Sequence, residues 1–207
     1  MSQHTIEHMK HELDWTGNAP IRWMKGLSAG EMDKIMHAMN SKTWCGPVVA
    51  REDICNIKPC FVAHEPNASS TIFNSALRKE RGEHWIAIYY DLCAKDKIEY
   101  FDSTGLMCIF PEIICLFEFL SPHNAIVQNQ YVIQNPNNHE SPACGYHCIY
   151  YLLKKEGILP PVSSFVDSEN MHGEYPYLGE IKHINDMHAM VTVEKLIRDL
   201  KITIKNV

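Results

Sequence analysis

The chain has 207 residues, 45% of them hydrophobic and 21% charged, with a formal net charge of -6 from 19 basic and 25 acidic side chains. That length and balance fit one globular domain with a sizeable core and exclude a chain that is disordered or fibrous throughout. The net acidity argues against a chain-wide electrostatic attraction to nucleic acid, and no apolar run reaches the length of a membrane span.

The opening MSQHTIEHMKHELDW is polar and lacks the apolar centre of a secretory signal. It points to a reducing compartment, in which the eight cysteines are expected to be thiols. Residues 1–26 show no apolar period and read as an N-terminal extension; residues 27–207 read as the folded domain. A helix begins with a capping box of Ser28 and Glu31. Met32, Ile35, Met36 and Met39 then recur at i, i+3, i+4 and i+7, which predicts about twelve helical residues with one apolar stripe. That stripe reads as core rather than as a docking surface.

Cys45-Gly46-Pro47 ends this segment, and short extended pieces are expected at 48–51 and 60–64. Residues 71–81 fit strand and helix alike before Arg81-Gly82 breaks the pattern. The clearest strands follow at 84–91 (HWIAIYYD) and 97–102 (KIEYFD), rich in β-branched and aromatic residues and joined by a short polar link that suits an antiparallel hairpin. After a SerThrGly turn, 111–120 fits a buried helix with Pro111 at its start and Ser121-Pro122 at its end. Residues 125–134 form the next predicted strand.

The stretch QNPNNHESPACGYHCIYYLL then reads as a polar loop entering a helix over 142–156. Ser141 serves as N-cap, Pro142 takes the first helical position, and Cys148, Ile149, Leu152 and Leu153 make the buried face. Gly157 stops the helix and Pro160-Pro161 forbids continuation. Residues 158–184 read as a long surface loop, and a last helix over 186–200 turns Met190, Val193, Leu196, Ile197 and Leu200 inward.

Cys144 falls about two residues inside a helix start, where unpaired backbone N–H groups and the helix dipole favour a thiolate over a thiol of ordinary pKa about 8.5. His84 opens one predicted strand, Asp102 closes its hairpin partner, and Gln134 ends another strand. In the hairpin the first residue of one strand faces the last of the other, so Asp102 can orient the His84 ring. A nucleophilic cysteine needs these parts: an imidazole to take the thiol proton, an acid to hold the ring, and N–H donors for the oxyanion, here Gln134 and the Cys144 backbone. Each residue also has an ordinary structural reading. Cys144 can be a buried core thiol, His84 a satisfied strand-end histidine, Asp102 a turn former and Gln134 a solvated loop residue. Spacing alone leaves the two readings level. Cys55 with Cys60, and Cys144 with His147 and Cys148, miss the spacing of zinc knuckles, so no metal or other cofactor is expected.

HWIAIYYD, KIEYFDSTG and the PACGYHC segment resemble the adenovirus-type maturation proteases, cysteine peptidases of the same clan as the SUMO-specific proteases. The resemblance runs over roughly residues 28–156 and includes CysGlyPro at 45–47 and PheAsnSerAla at 73–76. It implies an α+β fold of papain-like, adenain-like architecture: a mixed central β-sheet flanked by helices, with Cys144 as nucleophile, His84 as base, Asp102 as orienting acid and Gln134 as oxyanion donor. It further implies a monomeric viral maturation endopeptidase that cleaves precursor capsid or core proteins at glycine-containing motifs, in the virion and at the host-cell site of assembly. A deconjugase of ubiquitin-like tails shares the demand for GlyGly, although AlaCysGly at 143–145 tilts toward the viral group. A third reading, from another class, is an inert scaffold with the same fold.

The chain departs from the family's pattern at four points. Asp102 stands where the adenovirus enzyme has Glu. The loop between Gln134 and Cys144 is longer, which makes Gln130 and Gln128 alternative donors. Residues 121–133 contain no cysteine for a disulfide-linked peptide activator, leaving a noncovalent peptide activator as the expectation, and the net charge argues against activation by DNA. Finally, Met24-Lys25-Gly26-Leu27 resembles the family's cleavage pattern, with Ser28 in place of the second glycine, so self-trimming of the extension near Leu27 is a further expectation.

Overall fold

The computed structural model describes residues 26–63, 68–80, 84–91, 93, 97–108, 110–120, 126–128, 143–159 and 178–202. Helix α1 (Ala29–Ala38) starts where the capping box predicts, with the Ser28 N–H and hydroxyl both donating to the Glu31 carboxylate at 2.8 and 2.9 Å. Its Met32, Ile35 and Met36 are fully buried, so the methionine stripe is core. After it come a short strand β1 (Val49–Ala50), a 3-10 helix (Arg51–Ile57) and a helix α2 (Lys58–Ala63). Helix α2 corrects the expected extended piece at 60–64. A short apolar run such as Cys60-Phe61-Val62 has no period that separates strand from helix, and Pro59 in the first turn removes an N–H that a helix start does not use.

Strand β2 (Ala68–Asn74), buried along its whole length, takes only the first four residues of the ambiguous segment 71–81 as sheet, and residues 75–80 turn. It pairs antiparallel with β3 (Trp85–Asp91), which pairs antiparallel with β4 (Lys97–Phe101) as the hairpin predicts. β1 joins β2 in parallel, and β5 (Ile126–Gln128), within the predicted strand at 125–134, joins β4 in parallel. The sheet is therefore mixed, in the order β1-β2-β3-β4-β5.

Both faces of this sheet are covered, which is why its middle strand β3 is apolar along most of its length and β2 buries even Ser69, Ser70 and Thr71. Alternation assigns the faces. Ile86, Ile88 and Tyr90 of β3 join Phe73, Ile98 and Tyr100 against the 3-10 helix, α2 and α3 (Pro111–Leu120), whose bounds coincide with the predicted buried helix. Ala87 and Tyr89 join Ile72 and Phe101 on the opposite face, under α1, α4 (Ala143–Lys155) and α5 (Leu178–Asp199). The fold is α+β, a mixed sheet between helices. Helix α5 begins earlier than the expected residue 186, so the end of the expected surface loop over 158–184 is helical; Leu178, Ile181 and Ile184 recur every three residues there, but Gly179 and the turn-rich stretch before it hide the pattern.

Two of the eight cysteines are joined, which corrects the expectation that all are thiols. Cys45 and Cys60 form a disulfide, their Cα atoms 5.8 Å apart. The segment after α1 runs beside β2, with Cys45 N–H donating to Ser70 O at 2.8 Å, while α2 packs on the same strand through Phe61 O, which accepts the Ser69 hydroxyl at 3.1 Å. Docking to a shared strand brings together cysteines that linear spacing does not pair.

Gly157 ends α4 at φ 69, in the left-handed region, with open space around a prospective side chain. Gly30 lies exposed in the first turn of α1, also with open space. The two glycines should therefore respond oppositely to alanine. Gly157→Ala should lower unfolding free energy in urea by about 1 kcal/mol from backbone strain alone, and Gly30→Ala should raise it by about 0.5 kcal/mol.

Candidate active site

Helix α4 delivers Cys144 as its second residue, on the helix's first turn, where the residue is half-buried, whereas Cys148 one turn on is fully buried. Only the first of these two thiols is open to a reagent. The start of β3 meets both. The His84 ring lies close enough to Cys144 for the sulfur to favour its proton, and the next residue, Trp85, accepts the Cys148 thiol proton on its backbone carbonyl at 3.3 Å. Gly145 makes the approach close: a Cβ there would lie 3.2 Å from Met32 Sδ, 3.3 Å from Trp85 Cδ1 and 3.4 Å from Leu27 Cβ. The pair HisTrp at a strand start is thus matched to Cys-x-x-x-Cys at a helix start.

The other side of the His84 ring faces Asp102. His84 Nε2 and Asp102 Oδ1 are 2.8 Å apart, and Asp102 is 2% exposed. The geometry refines the expected pairing. In the β3–β4 register Ala87 faces Phe101, so Asp102 continues the line opposite Ile86 and His84 reaches it diagonally, a distance that an imidazole spans. With Nε2 committed to Asp102, Nδ1 is the ring atom left for the thiol.

A buried carboxylate needs donors, and Thr104 supplies two. Its backbone N–H and its hydroxyl donate to Asp102 Oδ1 at 2.7 and 2.6 Å. Thr104 is a site residue that the sequence reading treated only as part of a turn. Its signal is the Asx-type pattern, in which an aspartate side chain accepts from the backbone two residues on. Burial by itself would raise the Asp102 pKa, yet the hydrogen bond and charge of His84 and the two bonds from Thr104 hold it below the ordinary 3.8. His84 moves the opposite way. Burial opposes its charge most strongly, but its hydrogen bonds to Asp102 and Cys144, with their charges, push it up from 6.5 to about 10. The arrangement favours the charged imidazolium over the neutral ring.

Gln134, and the alternative Gln130, lie outside the described residues. Gln128 ends β5 opposite Tyr100. Because β5 runs parallel to β4, the chain leaves it at the end of the sheet where Asp102 stands. Among the described residues no group of three or more His, Cys, Asp or Glu could hold a metal, and no helix is long and apolar enough to cross a membrane.

Of the expected self-cleavage segment, Met24 and Lys25 lie outside the described residues, but the bond after Leu27 is within them. Leu27 is 3% exposed, its carbonyl accepts the Trp85 indole N–H at 3.1 Å, and the Ser28 N–H is held in the capping box. Both sides of that bond are built into the packing beneath Gly145, so cleavage there requires the folded chain to release it.

No family model matches the chain, and no curated protein does. Solved structures do. The selenomethionine crystal structure of the ASFV pS273R protease matches with a TM-score of 0.51 at 16% identity, over 83% of this chain and 70% of that one. The central domain of the uncharacterized Lpg1148 protein from Legionella pneumophila matches at 0.49 and 14%, over 83% and 99%. A de-sumoylating protease matches at 0.36 and 13%, over 96% and 77%. The first of these likenesses is one of fold: the α+β arrangement seen here is also that of a protease.

The opposed pKa shifts of His84 and Asp102 fix a pH window for stability. The raised His84 value contributes stability that is complete below pH 6.5 and lost as pH climbs to about 10. The lowered Asp102 value contributes above pH 3.8 and is lost as pH falls through its folded value. Asp102→Asn should therefore destabilise the chain most between about pH 5 and 6.5, with the gap to the parent narrowing on either side; urea unfolding across pH measures it, and a gap independent of pH contradicts the linkage.

Proposed function

We propose that the chain is a cysteine endopeptidase in which Cys144 is the nucleophile, His84 the base, Asp102 the orienting acid and Gln134 the oxyanion donor. One observation carries the reading. A buried, multiply bonded carboxylate holds an imidazole beside a half-buried cysteine on the first turn of a helix. Each of those features costs folding free energy or order that a merely structural cysteine does not need.

In this mechanism the Cys144 proton already rests on His84 as a thiolate–imidazolium pair, and the thiolate adds to the scissile carbonyl. The negative charge moves to the carbonyl oxygen, where the Cys144 backbone N–H and the Gln134 amide donate to it. The imidazolium then gives its proton to the leaving amine as the C–N bond breaks. Water, deprotonated by His84, attacks the thioester, and the thiol is restored. Asp102 stays ionised throughout and keeps the ring in place, as Thr104 keeps Asp102. No cofactor enters these steps.

The substrate class follows the resemblance of the PACGYHC and HisTrp segments: precursor capsid or core proteins, cut at glycine-containing motifs in a groove too narrow for side chains. In that reading the enzyme is a monomer of one domain, 27–207, with the extension 1–26. It works in the virion and at the site of assembly, with a noncovalent peptide as activator and without DNA.

Selective alkylation tests the chemistry. Iodoacetamide should modify Cys144 at least about ten-fold faster than the other free thiols, and His84→Ala should abolish the advantage. An inert Cys144 in the folded chain supports the scaffold reading instead. Turnover of peptides with GlyGly or Gly-X-Gly from capsid precursors, against ubiquitin-like fusions, then separates maturation from deconjugation.

A further inference from the structure

Away from Cys144, on the opposite face of the sheet, the 3-10 helix and α3 carry a second group of reactive side chains. Cys55 is partly buried and Cys115 is exposed, and the two thiols are neighbours, since Cys55 and Lys58 on one element reach Glu112 and Cys115, one turn apart, on the other. Cys55 also reaches the backbone carbonyl of Glu112 at 3.8 Å. The Lys58 ammonium lies 3.6 Å from Cys115 Sγ and 5.0 Å from the centre of the Phe119 ring, one turn further along α3. An aromatic face and a sulfur thus hold the same cation. Arg51 braces the pair of elements from the other end, 3.6 Å from Glu112 and 4.8 Å from the Phe110 ring centre.

We infer that Cys55 and Cys115 form a reversible, hydroperoxide-sensitive dithiol, in which Cys115 is oxidised first and Cys55 resolves it into a disulfide that staples the 3-10 helix to α3. The division of labour follows exposure. Cys115 meets an oxidant in solvent, and Lys58 sets a positive charge against its sulfur when it acts as an anion. Partial burial pushes the Cys55 thiol up, which keeps it protonated and in reserve. In the first step the Cys115 sulfur attacks the O–O bond of a hydroperoxide. The sulfur takes one oxygen as sulfenic acid, and the other leaves as an alcohol or water after gaining a proton. In the second step Cys55 sulfur displaces that oxygen as water and the S–S bond forms. Two electrons pass from the two thiols to the peroxide. The neighbouring Cys45–Cys60 disulfide already ties α2, the next turn of the same segment, to the strand side, so the new bond would fix this segment at both ends.

This dithiol is independent of Cys144 chemistry, and the test reads each cysteine separately. The full-length protein is treated with hydrogen peroxide, its remaining thiols are alkylated, and its peptides are mapped by mass without reduction. The expected product is one linked pair containing Cys55 and Cys115, about 2 Da below the sum of its parts and lost on adding dithiothreitol. Cys115 should disappear several-fold faster than the exposed Cys93, and Lys58→Met but not Lys58→Arg should remove that advantage. In Cys55→Ser, dimedone should trap Cys115 as its sulfenic acid. The unsubstituted protein gives the linkage without relying on any variant. Cys115 lost no faster than Cys93, or recovered in a different disulfide, overturns the proposal.

Discussion

The docking of one helix start on one strand start organises this molecule. Cys144 and Cys148 are one turn apart on α4, His84 and Trp85 are adjacent at the entrance to β3, and the two pairs meet residue for residue. Gly145 permits the approach, since its neighbours already stand at the distance where a methyl group would press on Met32 and Trp85. Leu27 and the capped start of α1 close the same contact from above. The helix behind Cys144 is held just as firmly. Tyr146 donates to Glu194 at 2.8 Å and His147 pairs with Asp186 at 2.8 Å, both buried and both reaching α5. Residues 145–148 thus point in turn to α1, α5 and β3, which leaves the Cys144 sulfur little freedom.

Charge at the site depends on the same order. A carboxylate as buried as Asp102 would be neutralised by its surroundings if its lone pairs were idle. Thr104 and His84 supply the donors, and the charge they preserve on Asp102 sustains the proton on His84. The turn after β4 is therefore part of the chemistry as well as a connection, and it is closed by Gly105, at φ 70, donating to Asp102 O at 2.9 Å.

How much of this is legible in the sequence depends on which force shapes each piece. Where burial marks an element by period or by composition, the reading and the structure agree closely: the stripe of α1, the β-branched and aromatic strands around Tyr89 and Tyr100, the apolar helix at Pro111–Leu120, and the face of α4. Where an element is short, as α2 is, there is no period to find, and where it opens beside turn residues, as α5 does at Gly179, a short period is masked. Contacts between distant segments are the least visible. The Cys45–Cys60 bond and the diagonal reach of His84 to Asp102 both follow from strand register, which a linear pattern leaves free by a residue or two. Thr104 was readable in principle from its spacing to Asp102, but its role appears only once Asp102 is known to be buried.

The central claim is that His84 is held as a cation between Asp102 and Cys144. Its ring nitrogen shifts, followed by NMR through a pH titration of the intact protein and of Cys144→Ala, test that claim most directly. The account predicts an imidazolium that persists in the parent until pH approaches about 10 and that titrates lower once the sulfur is removed. A His84 ring that loses its proton near pH 6.5 in the parent, unmoved by loss of the thiol, would contradict it.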